Sequence, residues 1–184
     1  MGVITRTFAN QIKTGGKLDA DGLDLTDTFA FTGTVTGAGG VNTPAFRVKL
    51  STNQSITSAT TTKIQFNTED FDTDGCYDNA TNYRFTPTVA GKYFIYLGVN
   101  YDHSGGSPTL YNSYIYKNGS LFEQAYKNQV GSSINHYGNN VTVNTIVTMN
   151  GSTDYIEAFA RQSGITGGLM TAAFCFFGGY KIIE

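Results

Sequence analysis

A chain of 184 residues suits one domain with an appendage, or two small domains. Charged residues make up only 14% and aromatic residues another 14%, at a formal net charge of −2. A helical protein is disfavoured, because Ala, Leu, Glu, Lys and Arg are scarce, and the basic run of a nucleic-acid binder is missing. No apolar run reaches the ~18 residues that cross a bilayer, so no membrane insertion is expected. Met1 to Lys13 contain no apolar signal core, which makes a cytoplasm the expected place of synthesis. Cys76 and Cys175 stand far apart, in no metal-ligating spacing; two free thiols are expected, with a Cys76–Cys175 pair as the alternative.

Residues 1–40 differ from the remainder. Val3 to Phe8 read as a short strand, broken by Gly15-Gly16. Leu23 and Leu25, then Phe29 and Phe31, keep period two, so further short strands are expected. The segment is too sparse in apolar residues to offset an ordering cost of roughly 1–2 kcal/mol per residue by itself. It is expected to order against copies of itself or a larger assembly, as a stalk or anchor. Thr36-Gly37-Ala38-Gly39-Gly40 reads as a linker to a second domain at 41–184.

From Pro44 the chain is a succession of strands and turns. Strands are expected over Ala45–Leu50, Lys63–Asn67, Asn82–Phe85, Lys92–Tyr101 and Leu110–Lys117. Asp102 to Pro108 read as a turn cluster. Asn118-Gly119 is a strong hairpin signal, answered by a strand over Ser120–Lys127. After a loop at Asn128–Asn139 come Val141–Met149, a turn at Asn150-Gly151, Asp154–Gln162, a loop at Gly164–Gly168, and Ala172–Ile183. Apolar spacing of three and four persists nowhere. About nine or ten strands at regular turn spacing predict a sandwich or barrel.

Lys63 to Val99 organises this pattern. Pro87 removes a ladder donor and Gly91 tolerates unusual backbone angles, so one strand ends near Phe85 and the next begins at Lys92. In that next strand Tyr93, Ile95, Leu97 and Val99 form one side, but Phe94 and Tyr96 stand on the other. Near the C-terminus, Phe174 and Phe176 oppose Cys175 and Phe177; Tyr114 and Tyr116 flank Ile115. A sandwich strand that meets water should be polar on its wet face. Several exposed rings together invite association, so Phe94, Tyr96, Tyr114, Tyr116, Phe174 and Phe176 are the expected interface between identical copies. Cover by the chain's own loops is the alternative.

These residues also carry a resemblance. Tyr83, Phe85-Thr86-Pro87, Gly91, Tyr93 and Ile95 follow the order found in globular heads of complement subcomponent one-q. Phe66-Asn67, the hairpin Lys117-Asn118-Gly119 and the closing Phe177-Gly178-Gly179-Tyr180-Lys181-Ile182 fit the same order. Over about three quarters of its length, from Pro44 to Ile183, the chain resembles that family within the tumour-necrosis-factor-like (TNF-like) superfamily. The resemblance implies an all-β, ten-stranded jelly-roll sandwich that forms a homotrimer and works by binding, not catalysis. The Gly-x-y stalk of animal members is absent. The Thr/Gly/Asp-rich start is instead similar to fibre and spike proteins of tailed bacteriophages, where a short N-terminal segment attaches to a capsid or tail protein of the virion.

Asp70, Asp72 and Asp74, followed by Gly75, spell the first half of a calcium loop, but the twelfth position is Thr81 and the flanks read as strands. A Ca²⁺ site and a plain acidic turn both remain open; no other cofactor is expected. No arrangement for nucleophilic work surrounds His103 or His136, and no catalytic residue is assigned. His103, Tyr111, Tyr126 and Tyr137 sit in or beside expected loops with Ser and Asn, the adaptable chemistry of binding surfaces. They are the expected receptor contacts. The sequence therefore predicts an outward-facing knob on a virion that binds a host-surface glycan or protein. A secreted cytokine-like or lectin-like binder is the second reading, and a polysaccharide-cleaving spike the third.

Overall fold

The computed structural model describes residues 42–128 and 139–182. Among these, eleven strands form: β1 (Ala45–Lys49), β2 (Gln54–Ile56), β3 (Thr62–Lys63), β4 (Thr68–Asp72), β5 (Tyr77–Asp78), β6 (Arg84–Phe85), β7 (Gly91–Lys117), β8 (Ser120–Asn128), β9 (Asn139–Met149), β10 (Ile156–Met170) and β11 (Phe176–Lys181). One short 3-10 turn, Ala172–Phe174, precedes β11. The expected anchor at 1–40 lies outside the described residues.

The first half of β7 pairs with β11 on one side and β9 on the other, and β11 continues to β1 and β4. The second half pairs with β8 and β10, and β10 continues to β2, β3 and β6. All these pairings are antiparallel. The two groups make the two layers of a sandwich, and Phe46 of β1 stacks on Phe85 of β6 across the gap at 4.2 Å between ring centroids. Tyr77 and Phe177 surround the same pair at 5.3 and 5.1 Å from Phe46. Offset and edge-on aromatic contacts add to the area term, so this cluster is the centre of the core.

Where a turn was expected at Asp102–Pro108, the chain stays extended. Residues 102–110 keep pairing with 163–169 as one ribbon of β7 and β10. The punctuating residues are absorbed by a bulge. The register jumps from Leu110 opposite Ser163 to Gly106 opposite Ile165, which leaves Pro108 where no ladder donor is required. Gly106 and Gly164 both take positive φ there, and a Cβ on either would run into the other's stretch of backbone. The ribbon also folds back on itself. Tyr101 and Tyr111 would stand roughly 30 Å apart on a straight strand, yet their ring centroids are 5.3 Å apart. The expected strands 92–101 and 110–117 are thus two halves of one bent strand.

Turn chemistry follows the residues. Asn118 and Gly119 both take positive φ in the β7–β8 hairpin. Asn150 accepts from the backbone N–H groups of Ser152, Thr153 and Asp154 through Oδ1. Asp78 accepts from the backbone N–H groups of Thr81, Ala80 and Asn82. Those bonds, Thr81 foremost, hold its carboxyl down at about 2, below the ordinary 3.8. Cys76 and Cys175 are buried free thiols, and burial pushes the Cys175 thiol up to about 11.

Two outcomes are expected. Phe46→Ala removes the ring at the centre of the stack and should cost about 3–5 kcal/mol in urea denaturation; a loss below ~1 kcal/mol would show that the stack is not the core. Asp78 is deprotonated more readily in the folded state than in the unfolded chain. The stability it contributes is complete above the ordinary 3.8 and disappears as pH falls toward about 2. Asp78→Asn should therefore lose less stability than the parent over that acid range, read from urea midpoints at each pH.

Candidate self-association face

Strand alternation sorts the residues of the β4–β1–β11–β7–β9 layer. Tyr93, Ile95, Leu97 and Val99 point into the core, fully buried, and Phe177 joins them from β11. Phe94, Tyr96 and Gly98 on β7, with Phe176, Gly178 and Tyr180 on β11, point outward. Register makes this outer face flat. Tyr96 stands opposite Gly178 and Phe176 opposite Gly98. Each ring lies over the glycine facing it, so closely that a Cβ there would overlap the ring. Phe94 bridges to Tyr96 and Tyr180 at centroid distances of 6.2 and 5.6 Å, and Tyr96 reaches Phe176 at 6.1 Å.

The rim is mixed. Ile146 of β9, opposite Phe94, is 55% exposed. On the far side the Arg47 guanidinium lies 5.3 Å from the Phe176 centroid and its Nε donates to Asp70 at 3.1 Å. Lys49 pairs with the same carboxylate. The Lys49 hydrogen bond above all, then its charge and that of Arg47, hold the Asp70 carboxyl below its ordinary value. Exposed Phe71 of β4 stands opposite Arg47.

The six residues expected to form one interface do not share a face. Phe94, Tyr96 and Phe176 do. Tyr114 and Tyr116 belong to the opposite layer, where Tyr116 meets Phe159 at 4.4 Å and Tyr114 meets Tyr116 edge-on at 6.2 Å. The reason is the bend in β7, which carries its second half into the other layer. Tyr114 is moreover already covered within the chain. Phe174 sits in the 3-10 turn before β11, 61% exposed. Sequence reasoning passed over Ile146, although it is an apolar residue in the wet register of Thr142, Asn144 and Thr148. It also passed over Tyr180, which repeats the outward parity of Phe176.

The expected receptor contacts fare differently. Tyr111 is corrected: it is fully buried against Tyr101, and its hydroxyl accepts a hydrogen bond from Asn139 Nδ2 at 3.2 Å. The stretch taken for a loop is strand, so its residues alternate between core and surface. His103 is half-buried in the same ribbon. Tyr126 on β8 is 61% exposed. Tyr137 lies outside the described residues. The three carboxylates that a Ca²⁺ site would use have separate partners: Asp70 is taken by two cations, while Asp72 Oδ2 accepts from the Tyr77 N–H at 2.7 Å. Asp74 Oδ2 accepts from the Thr73 hydroxyl at 3.4 Å. Among the described residues no three His, Cys, Asp or Glu side chains are grouped for a metal.

No family model and no curated protein matches the chain. Solved structures do. Eiger TNF from S. frugiperda superposes with a TM-score of 0.57 at 9% identity, over 75% of this chain and 91% of its own. Murine APRIL gives 0.55 at 11%, over 75% and 98%. The fold is a TNF-like jelly roll. The globular domain of zebrafish complement 1qA protein gives 0.54 at 15% identity, over 76% and 96%. The TNF-like jelly roll expected from the Phe85-Thr86-Pro87 and Phe177-Gly178-Gly179-Tyr180 motifs is thus the fold observed, and its outer aromatic face is the feature to be explained.

Half-buried rings contribute less than core rings. Tyr96→Ala and Phe176→Ala should each cost only about 1–1.5 kcal/mol at protein concentrations that keep copies apart. The cost should grow as concentration rises, because binding between folded copies adds to stability. Urea midpoints measured across a hundredfold dilution series check this; a cost independent of concentration would contradict it.

Proposed function

We propose that this chain is a homotrimeric binding module, and that it serves as a fibre, spike or capsid-decorating protein of a bacteriophage virion. The observation that carries the trimer is the flat aromatic face of Phe94, Tyr96, Phe176 and Tyr180 with Ile146 at its rim. Left in water, such a face is an association site. A second apolar set, exposed Leu121 and Phe122, stands on edge strand β8 in the other layer. A patch that meets its own copy closes a dimer, whereas two unlike patches on one chain suit a head-to-tail contact that closes a ring. One ring of three such contacts also suits the trimer that the sequence motifs imply.

The virion role rests on the character of residues 1–40, sparse in apolar side chains and rich in Thr, Gly and Asp, which suits a segment ordered by a capsid or tail partner. Residues 41–184 then form an outward knob made in the host cytoplasm, and three knobs together turn modest contacts with a host-surface glycan or protein into avidity. The role is binding without catalysis. A second reading, a secreted cytokine-like ligand, is supported by the likeness to Eiger TNF and murine APRIL.

Sedimentation at micromolar concentration should give three times the 19.9 kDa chain mass; a stable single-chain species would end the trimer reading. Removing residues 1–40 should abolish incorporation into particles while the knob remains a trimer. Unchanged incorporation of that truncated protein would rule out the anchor, and signalling by the knob on animal cells would favour the cytokine-like reading.

A further inference from the structure

The layer opposite the aromatic face has its own outward surface, and its chemistry is different. Alternation along β7 and β10 places Tyr116, Tyr114 and Asn112 outward beside Glu157, Phe159 and Arg161. Tyr126 of β8 stands opposite Asn112. The charged groups on this surface already have partners within the chain. Lys63 pairs with Glu157 at 2.5 Å, donates to the Asn82 carbonyl at 3.2 Å, and its Nζ lies 5.6 Å from the Phe159 centroid. Arg161 Nε donates to the Ala59 carbonyl at 3.1 Å. With Lys63 and Glu157 paired, Arg161 is the one net charge among these groups, too little to attract a polyelectrolyte.

Two polar groups on this surface are unanswered. Asn112 is 6% exposed, and its Oδ1 has no hydrogen-bond partner. The Ser163 hydroxyl, one step along β10 from the Arg161 position, is likewise buried and unpartnered. A buried acceptor without a donor costs about 1–3 kcal/mol, so the surface is incomplete without a group that supplies hydroxyl or amide protons. An apolar patch of a second copy would leave the two groups orphaned and would also bury the Lys63–Glu157 pair, which is costly without new hydrogen bonds. A sugar ring has the required pair of properties. Its C–H face stacks on aromatic rings, and its hydroxyls both donate and accept.

We infer that the outward face of β8, β7 and β10 is a saccharide-binding surface, with Tyr116, Phe159 and Tyr126 stacking on the sugar and Asn112, Ser163 and Arg161 holding its hydroxyls. Tyr126, 61% exposed, stands opposite Asn112 on the neighbouring strand and is the ring with most room to move onto a ligand. This assignment rests on the reading of the chain as a binding module and adds the class of ligand and its place. It leaves the aromatic plane of Phe94, Tyr96, Phe176 and Tyr180 free, since that plane belongs to the opposite layer, and the saccharide surface borders the Leu121 end of β8.

The test begins with the full-length protein on an array of defined neutral and acidic oligosaccharides. The tightest oligosaccharide is then titrated calorimetrically in monovalent form, so that per-site affinity is read without avidity. The parent should bind. Tyr116→Ala should weaken binding about tenfold or more, and Tyr126→Ala, a surface change that leaves the core untouched, several-fold; one ring–ligand stack of 1.4 kcal/mol corresponds to tenfold. Absence of binding to every arrayed saccharide, or equal affinity in the parent and both variants, overturns the assignment. Sedimentation of the same samples separates the two readings. A trimer that binds no saccharide refutes only this surface, and a single chain that binds refutes only the trimer.

Discussion

The β7–β10 ribbon is the constraint on which the rest depends. A single strand of 27 residues serves both layers of the sandwich, and it does so because the bulge opposite Gly164 lets the ribbon fold back until Tyr101 meets Tyr111. The hydroxyl of Tyr101 then donates to the Asn112 carbonyl and approaches Ser113 Oγ at 3.1 Å, while Ser113 Oγ donates to the Val141 carbonyl at 3.0 Å. These bonds tie the two halves of β7 and the neighbouring β9 together inside the core. Phenol burial has an electrostatic signature: it raises the Tyr101 hydroxyl well above the ordinary tyrosine range.

Because the ribbon turns over, residues of similar parity on its two halves look out from opposite sides. That single fact divides the exposed aromatics into two surfaces. On the first, glycines at 98 and 178 leave space for Phe176 and Tyr96 to lie flat, which gives a broad apolar plane suited to another protein surface. On the second, rings alternate with Lys63, Glu157, Arg161 and Asn112, which suits a ligand that stacks and hydrogen-bonds together. The low charge content fits this division. With few ionic groups, solubility and specificity fall to Tyr, Asn, Ser and Thr, whose polar atoms can face water or a ligand while their bodies pack. One edge of the first layer is guarded: β4 carries Glu69, Asp70 and Asp72, and acidic side chains on an edge strand discourage further strand addition.

Much of the fold was legible. Alternation located most of the strands, Asn118-Gly119 gave the hairpin, and Phe85-Thr86-Pro87 with the closing glycine–tyrosine motif gave the jelly roll. The turn at Asp102–Pro108 was misjudged because Gly and Pro carry the same local signal in a turn and in a β-bulge; only the partner strand decides between them. Tyr111 was misassigned for the same reason, as a residue beside a loop that is in fact strand. The acidic run was ambiguous because carboxylates at alternate positions suit a cation loop equally well as a strand edge; the structure puts Asp70 and Asp72 on β4, with Arg47 and Lys49 reaching Asp70 from β1.

The sequence alone determined the class of element, the alternation of core and surface along each strand, and the surplus of aromatic side chains beyond what a two-faced sheet can hide. These are local properties, set by period-two geometry and by the chemistry of each residue. Tertiary structure decided which side of the sandwich each ring faces, which glycine lies beneath it, and which polar atoms are left without partners. Those depend on register and on the fold of the ribbon, where contacts join residues far apart in the chain and no local pattern records them.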